Sequence, residues 1–115
     1  MRVEYRSPDP ACNPYLAFAL MLAAGLDGIE KGYPLPNPVE RNVFEMTDEE
    51  RIKDGITTLP ENLHDAILLT EHSELVRETL GDHVFAKLIQ NKKAEWGKFK
   101  AQVTPFELEQ YLPVL

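Results

Sequence analysis

The chain has 115 residues, of which 43% are hydrophobic and 27% are charged, and this composition predicts one globular domain with a modest core. Its 19 acidic and 12 basic residues give a net charge of −7, which argues against a nucleic-acid partner because phosphate binding needs a basic surface. A single cysteine, Cys12, excludes an intrachain disulfide, and together with the lack of a signal peptide it favours a cytoplasmic location.

The first predicted element is a short strand at residues 2–6, in which three charged residues alternate with two apolar ones. Because alternate side chains of a strand point the same way, Arg2, Glu4 and Arg6 would share one face. No second strand is predicted downstream, so the backbone groups of this strand would have no partners. We therefore expect its partner strands to lie in sequence that this chain lacks, with Met1 an added start residue.

A helix is predicted at about residues 14–30, because Asn13 is a good cap and Pro14 suits the first helical position. The longest apolar run of the chain, residues 15–26, lies in this helix and is shorter than the ~20 residues of a membrane span. The first three turns are apolar on every side, which predicts burial all round. We expect other parts of a larger protein to cover this helix.

The remainder of the chain is predicted to be helix and loop, which gives a mainly α fold. A proline-rich loop follows the first helix, and capping boxes at Thr47 and Thr104, each with a glutamate three residues later, open two short helices. Capping residues and hydrophobic periodicity place the later helices at about residues 47–54, 60–70, 74–80, 83–102 and 105–112.

No catalytic signature is found in the residue pattern alone. His64, His72 and His83 do not have metal-ligand spacing with one another or with Cys12, and surface histidines explain them better. The chain contains no glycine-rich phosphate loop. The lysine-rich face of the longest helix is typical of a solvated surface.

The charged row of the predicted strand has two interpretations. Such a row is most often a solvated sheet face with weak cross-strand pairs. In the second interpretation, two guanidiniums and a carboxylate point into one site. Arginine forks bind phosphates and carboxylates, and a carboxylate between them can hold a divalent cation that bridges phosphates. The residues alone leave both interpretations open.

The stretch RVEYRSPDPACNPYLAFALMLAAGLDGI closely resembles a segment of the bacterial and archaeal type I glutamine synthetases. The resemblance continues through PVERNVFEMTDEER and KKAEWGKFKAQVTPFELEQYLPVL, so it covers essentially the whole chain. It implies that residues 1–115 are the C-terminal helical portion of an α+β catalytic domain. This family joins ammonia to glutamate with ATP, through γ-glutamyl phosphate and with Mg²⁺ or Mn²⁺. The resemblance thus implies that the complete parent is a glutamate–ammonia ligase of nitrogen assimilation.

In the family, the Arg-x-Glu-x-Arg strand lines the active site. The resemblance implies that Arg2 contacts the ATP phosphates and stabilises phosphoryl transfer, that Glu4 is a metal ligand, and that Arg6 binds the glutamate carboxylate. The other metal ligands and the ammonium site of the family lie upstream, so we expect the isolated chain to be inactive. The alternative is a small helical protein-interaction module, which would be a compact monomer without an active site.

Two further expectations come from the resemblance. Where some bacterial members carry a regulatory adenylyl group on a tyrosine, this chain has Phe44, which lacks a hydroxyl, so we expect no adenylylation there. The family forms dodecamers of two stacked rings, and its C-terminal segment reaches into the opposite ring. The implied partners are the rest of the synthetase chain and further copies of it, with no nucleic acid and no membrane. The C-terminal end carries five apolar residues, which either contact the opposite ring or cover the chain's own core: Leu108, Tyr111, Leu112, Val114 and Leu115.

Overall fold

The computed structural model describes residues 4–114. Within this range the chain has five α-helices, two short 3-10 helices and no strand, which confirms the prediction of a mainly α fold. The chain divides into two compact units, one up to Pro60 and one from Glu61. The α-helices are α1 (Pro14–Lys31), α2 (Asp48–Lys53), α3 (Leu63–Glu71), α4 (Glu74–Phe99) and α5 (Pro105–Tyr111). The 3-10 helices are Val43–Glu45 and Leu112–Val114.

The predicted strand at residues 2–6 lies only partly in this range. Arg2 is outside the described residues, and Glu4, Tyr5 and Arg6 are in neither helix nor strand. A strand is defined by hydrogen bonds to a neighbouring strand, and residues 4–114 supply no such neighbour. The strand therefore stays a prediction about the longer parent protein.

Local signals account for both ends of α1. The Asn13 side chain accepts hydrogen bonds from the backbone N–H groups of Tyr15 and Leu16, and Pro14 occupies the first helical position, where no N–H is needed. At the other end, Gly32 adopts the left-handed conformation with a φ of 61° and donates its N–H to the last turn. These contacts define the two ends of α1.

No residue of α1 is buried. One side of the helix carries five large apolar residues that are 56–84% exposed, at spacings of three or four residues that place them in one continuous stripe. We call this stripe the α1 apolar face, and its members are Tyr15, Phe18, Leu22, Leu26 and Ile29. The expectation of burial on every side is thus not met by this chain alone. None of the helices between residues 4 and 114 combines the length and the apolar character needed to cross a membrane.

The second unit is built on α3 and α4, which pack against each other. Its core consists of Ile67 from α3 and of Phe85 and Ile89 from α4, each less than 9% exposed. Gly81 interrupts α4 with a φ of 73° and a ψ of 154°, which is not a helical conformation. The sequence predicts two separate helices here, with a gap at this glycine, and the structure joins them across a kink.

Three other helix starts illustrate how capping decides a boundary. Asn62 accepts a hydrogen bond from the backbone N–H of Asp65, so α3 begins at Leu63, three residues after the predicted start. Both predicted capping boxes, at Thr47 and at Thr104, form in the structure.

Candidate functional site

Glu4 and Arg6, the described members of the predicted charged row, pair with each other. Arg6 donates a hydrogen bond from Nε to Oε1 of Glu4 at 2.9 Å, and its Nη2 lies 2.8 Å from the same oxygen. The Arg6 side chain is 83% exposed and that of Glu4 is 60% exposed, so the pair adds little to stability. The structure thus brings two of the three predicted site residues together, while Arg2 lies outside the described residues.

This pair offers an anion-binding group beside a cation-binding group. Arginine has five N–H donors in a planar fork, so Arg6 keeps donors for a second carboxylate or a phosphate. The Glu4 carboxylate is an acceptor of the kind that hard divalent cations prefer. Both groups are accessible to ligands in solution.

A complete metal site needs more than Glu4. Mg²⁺ demands near-octahedral oxygen coordination and keeps its waters unless several ligands converge. Among residues 4–114, no three His, Cys, Asp or Glu side chains are grouped so that they could hold a metal ion. The described residues therefore do not fit a whole metal centre.

The histidines have local structural contacts. The His64 ring lies 5.8 Å from the Trp96 ring, measured between centroids. Nδ1 of His72 lies 2.7 Å from the carbonyl oxygen of Leu68, one turn earlier. His83 is exposed on α4. That the histidines are not metal ligands stays a prediction.

The sequence did not predict the turn that carries Phe44. Phe44 lies on the 3-10 helix Val43–Glu45, and its side chain is 99% exposed. Arg41 donates a hydrogen bond to Glu50 at 2.8 Å, and this bond, followed by the backbone N–H of Thr47, lowers the pKa of the Glu50 carboxyl. An arginine nine residues from its carboxylate leaves no periodic signal in the sequence, so only the structure shows this contact.

A shallow groove in the second unit also lacked a sequence signal. It is lined in part by Phe85 and by two cations, Arg77 and Lys93. The guanidinium of Arg77 lies 4.7 Å from the centre of the Phe85 ring, and Nζ of Lys93 lies 2.5 Å from Oε1 of Glu71. Both cations are engaged by groups of the same groove, so we assign it a structural role.

Four of the five apolar C-terminal residues do not contribute to the core of their unit. Leu108, Tyr111, Leu112 and Val114 are 49%, 60%, 64% and 78% exposed, and Leu115 lies outside the described residues. This exposure argues against the alternative that these four residues cover the chain's own core.

Comparison with known proteins gives consistent matches along the chain. The family model for the catalytic domain of glutamine synthetase matches residues 1–111. Glutamine synthetase of Mycolicibacterium smegmatis is 54% identical over 111 residues, which are 96% of this chain and 25% of that protein. The glutamine synthetase of Methanocaldococcus jannaschii is 50% identical over 96% of this chain and 24% of its own length. That of Methanosarcina mazei is 49% identical over 99% of this chain and 26% of its own length.

The chain spans about a quarter of the length of these curated relatives, and the match lies in their C-terminal part. The family resemblance carried by the stretch that begins RVEYRSPDP is thereby confirmed. Since the family model matches nearly the whole chain and the relatives are about half identical along it, this chain belongs to the glutamine synthetase family, as the C-terminal part of the catalytic domain.

Proposed function

We propose that the chain is the C-terminal portion of a glutamate–ammonia ligase that consumes ATP. The observation that carries this proposal is the match of residues 1–111 to the family's catalytic domain. In the reaction, the γ-carboxylate of glutamate takes the γ-phosphoryl group of ATP, which gives γ-glutamyl phosphate and ADP. Ammonia then attacks the activated carbonyl carbon, phosphate leaves, and glutamine is formed. The chain alone is inactive, since most of the parent's length is not in it.

The charged row supplies electrostatic groups for this chemistry. Phosphoryl transfer depends chiefly on positioning and on neutralising charge, which is the work of arginine forks and divalent ions. In this proposal Arg2 contacts the ATP phosphates and Arg6 binds the glutamate carboxylate. Glu4 is one oxygen ligand of Mg²⁺ or Mn²⁺, and the remaining ligands belong to the upstream part of the parent. The ion, when bound, neutralises phosphate charge.

The partners in this proposal are the rest of the synthetase chain and further copies of it. The α1 apolar face supports the first partner, because a continuous stripe of five large exposed apolar side chains is typical of a surface that another surface covers. The exposed C-terminal residues, among them Tyr111 and Leu112, support contact with another subunit of a dodecamer. The same exposed stripe argues against a compact, self-sufficient interaction module. The cytoplasm is the proposed location.

A chimera tests the function directly. In it, this chain replaces the matching C-terminal quarter of the Mycolicibacterium smegmatis relative, and glutamine formation is followed in a coupled assay with ATP, glutamate and ammonia. We expect activity from the chimera and none from the isolated chain. An Arg6→Lys substitution in the chimera should raise the KM for glutamate, because lysine cannot donate the two parallel hydrogen bonds of an arginine fork.

The matched control is Arg77→Lys, the same change at an exposed arginine outside the charged row. It should leave the KM for glutamate unchanged. An assembled chimera that forms no glutamine would contradict the proposed function. An active chimera whose KM for glutamate is equally unaffected by both substitutions would remove Arg6 from the substrate site while leaving the family assignment intact.

A further inference from the structure

The turn that carries Phe44 is tied to α2 from both directions. From the turn, Arg41 reaches Glu50 at 2.8 Å and Asp54 at 3.6 Å. From α2, Arg51 reaches back and donates to the carbonyl oxygen of Val43 at 3.5 Å. Arg41 and Arg51 therefore both link the Phe44 turn to α2, one from each segment.

The two carboxylate oxygens of Glu50 have different partners. Oε2 accepts the backbone N–H of Thr47 at 2.9 Å, which completes the capping box of α2, and Oε1 accepts the hydrogen bond from Arg41. One side chain thus joins the start of the helix to the turn before it. Binding both partners at once needs two acceptor oxygens, which a carboxylate has and an amide lacks.

The second capping box shows which part of this arrangement is unusual. At the start of α5, Oε2 of Glu107 accepts the backbone N–H of Thr104 at 2.7 Å and the Thr104 hydroxyl at 2.9 Å. Among the ion pairs of the described residues, none involves Glu107. The box at α5 is therefore a cap, whereas the box at α2 is a cap with an added tether.

We propose that Glu50 is a latch that helps to hold the Phe44 turn in one position, and that the turn opens more often when the contact with Arg41 is removed, while the contact between Arg51 and Val43 remains. The inference goes beyond the proposed function and does not depend on it. Its consequence is that Phe44, with its side chain 99% exposed, is presented at a fixed place. A side chain held in advance loses less conformational entropy when another surface contacts it.

The test is cleavage by chymotrypsin after Phe44 in the folded chain, with the products identified by mass spectrometry. Glu50→Gln keeps the capping box, which accepts glutamine, and removes the charge that holds Arg41. We expect cleavage after Phe44 to become about two- to fivefold faster, the range that corresponds to losing an exposed ion pair. Arg41→Gln should give at least the same increase, because it also removes the contact with Asp54 at 3.6 Å, and the double variant should be cleaved no faster than Arg41→Gln, because both changes break the contact between Arg41 and Glu50.

Glu107→Gln is the control, since it makes the same change in a capping box without the tether, and it should leave cleavage after Phe44 unchanged. The latch is wrong if Glu50→Gln is cleaved at the wild-type rate. It is also wrong if the effects of the Arg41 and Glu50 substitutions add, or if the wild-type chain is cut after Phe44 as fast as a free peptide of residues 38–49. Hydrogen exchange in α3 and α4 checks that the second unit is unchanged.

Discussion

Replacing Gly81 by alanine should destabilise the second unit, although nothing stands in the way of the new methyl group. A Cβ built at Gly81 meets no atom within 4 Å, so a steric clash is not the reason. The reason is the backbone, because a φ of 73° with a ψ of 154° is a conformation that only glycine adopts readily. Holding alanine there costs about 1–3 kcal/mol.

Thermal unfolding followed by tryptophan fluorescence measures this effect. The chain has one tryptophan, Trp96 on α4, so the signal reports the second unit alone. Each kcal/mol lowers the Tm of a small domain by roughly 4–8 °C, so a fall of at least about 4 °C is expected. The matched control is Gly97→Ala in the same helix, where the added Cβ also meets nothing within 4 Å.

Gly97 lies in the regular part of α4, where alanine is favoured over glycine by about 0.5–1 kcal/mol. The same chemical change should therefore raise the Tm at Gly97 and lower it at Gly81. A rise at both positions, with more helical circular dichroism for Gly81→Ala, would mean that α4 can straighten without loss. The kink would then not be required by the packing of this unit, and the reasoning would be refuted.

Two further predictions concern the same unit. Phe85→Ala should lower the free energy of unfolding by about 3–5 kcal/mol, since the side chain is only 6% exposed. Phe106→Ala, at a residue that is 65% exposed, should change the free energy of unfolding little. Urea denaturation measures both variants, and equal effects would contradict the core described above. The hydrogen bond from the backbone N–H of Thr104 lowers the pKa of the Glu107 carboxyl. This carboxylate therefore contributes stability that is fully present above the ordinary glutamate pKa of about 4.3. That stability is lost as the pH falls through the lower pKa that Glu107 has in the folded protein. Glu107→Gln should therefore unfold at a lower urea concentration than the wild type at about pH 6, and the gap should narrow as the pH falls towards about 3. A gap of equal size at both pH values would argue against this linkage.

Three helix starts were predictable from sequence because their determinants are local. Asn13, Thr47 and Thr104 each satisfy backbone N–H groups two or three residues away, and such contacts are visible as short motifs. Lys93 and Glu71 are 22 residues apart and lie on different helices, so no periodic pattern in the sequence predicts their contact. The prediction of a mainly α fold depended on such local motifs. The groove and the turn that carries Phe44 depend on contacts between residues far apart in the sequence, which the sequence pattern does not show.

The candidate site was predictable as a pattern of residue types and as a family resemblance. Alternation in RVEYR put the charges on one side, and the structure shows Glu4 and Arg6 in contact. Their roles were not derivable from this chain, because a metal centre needs several converging donors and residues 4–114 do not group enough of them. Arg2 is outside the described residues, and its role stays a proposal.

The contact between Glu4 and Arg6 has a consequence for ligand binding. A glutamate side chain ends in a carboxylate, as does the substrate that Arg6 is proposed to bind, so the protein already holds a copy of that group against the guanidinium. A substrate carboxylate would therefore bind the N–H donors of Arg6 that Glu4 leaves free, beside a carboxylate of the same charge two residues away in the chain. Removing the Glu4 carboxylate would leave the guanidinium open to whichever anion is most abundant in solution.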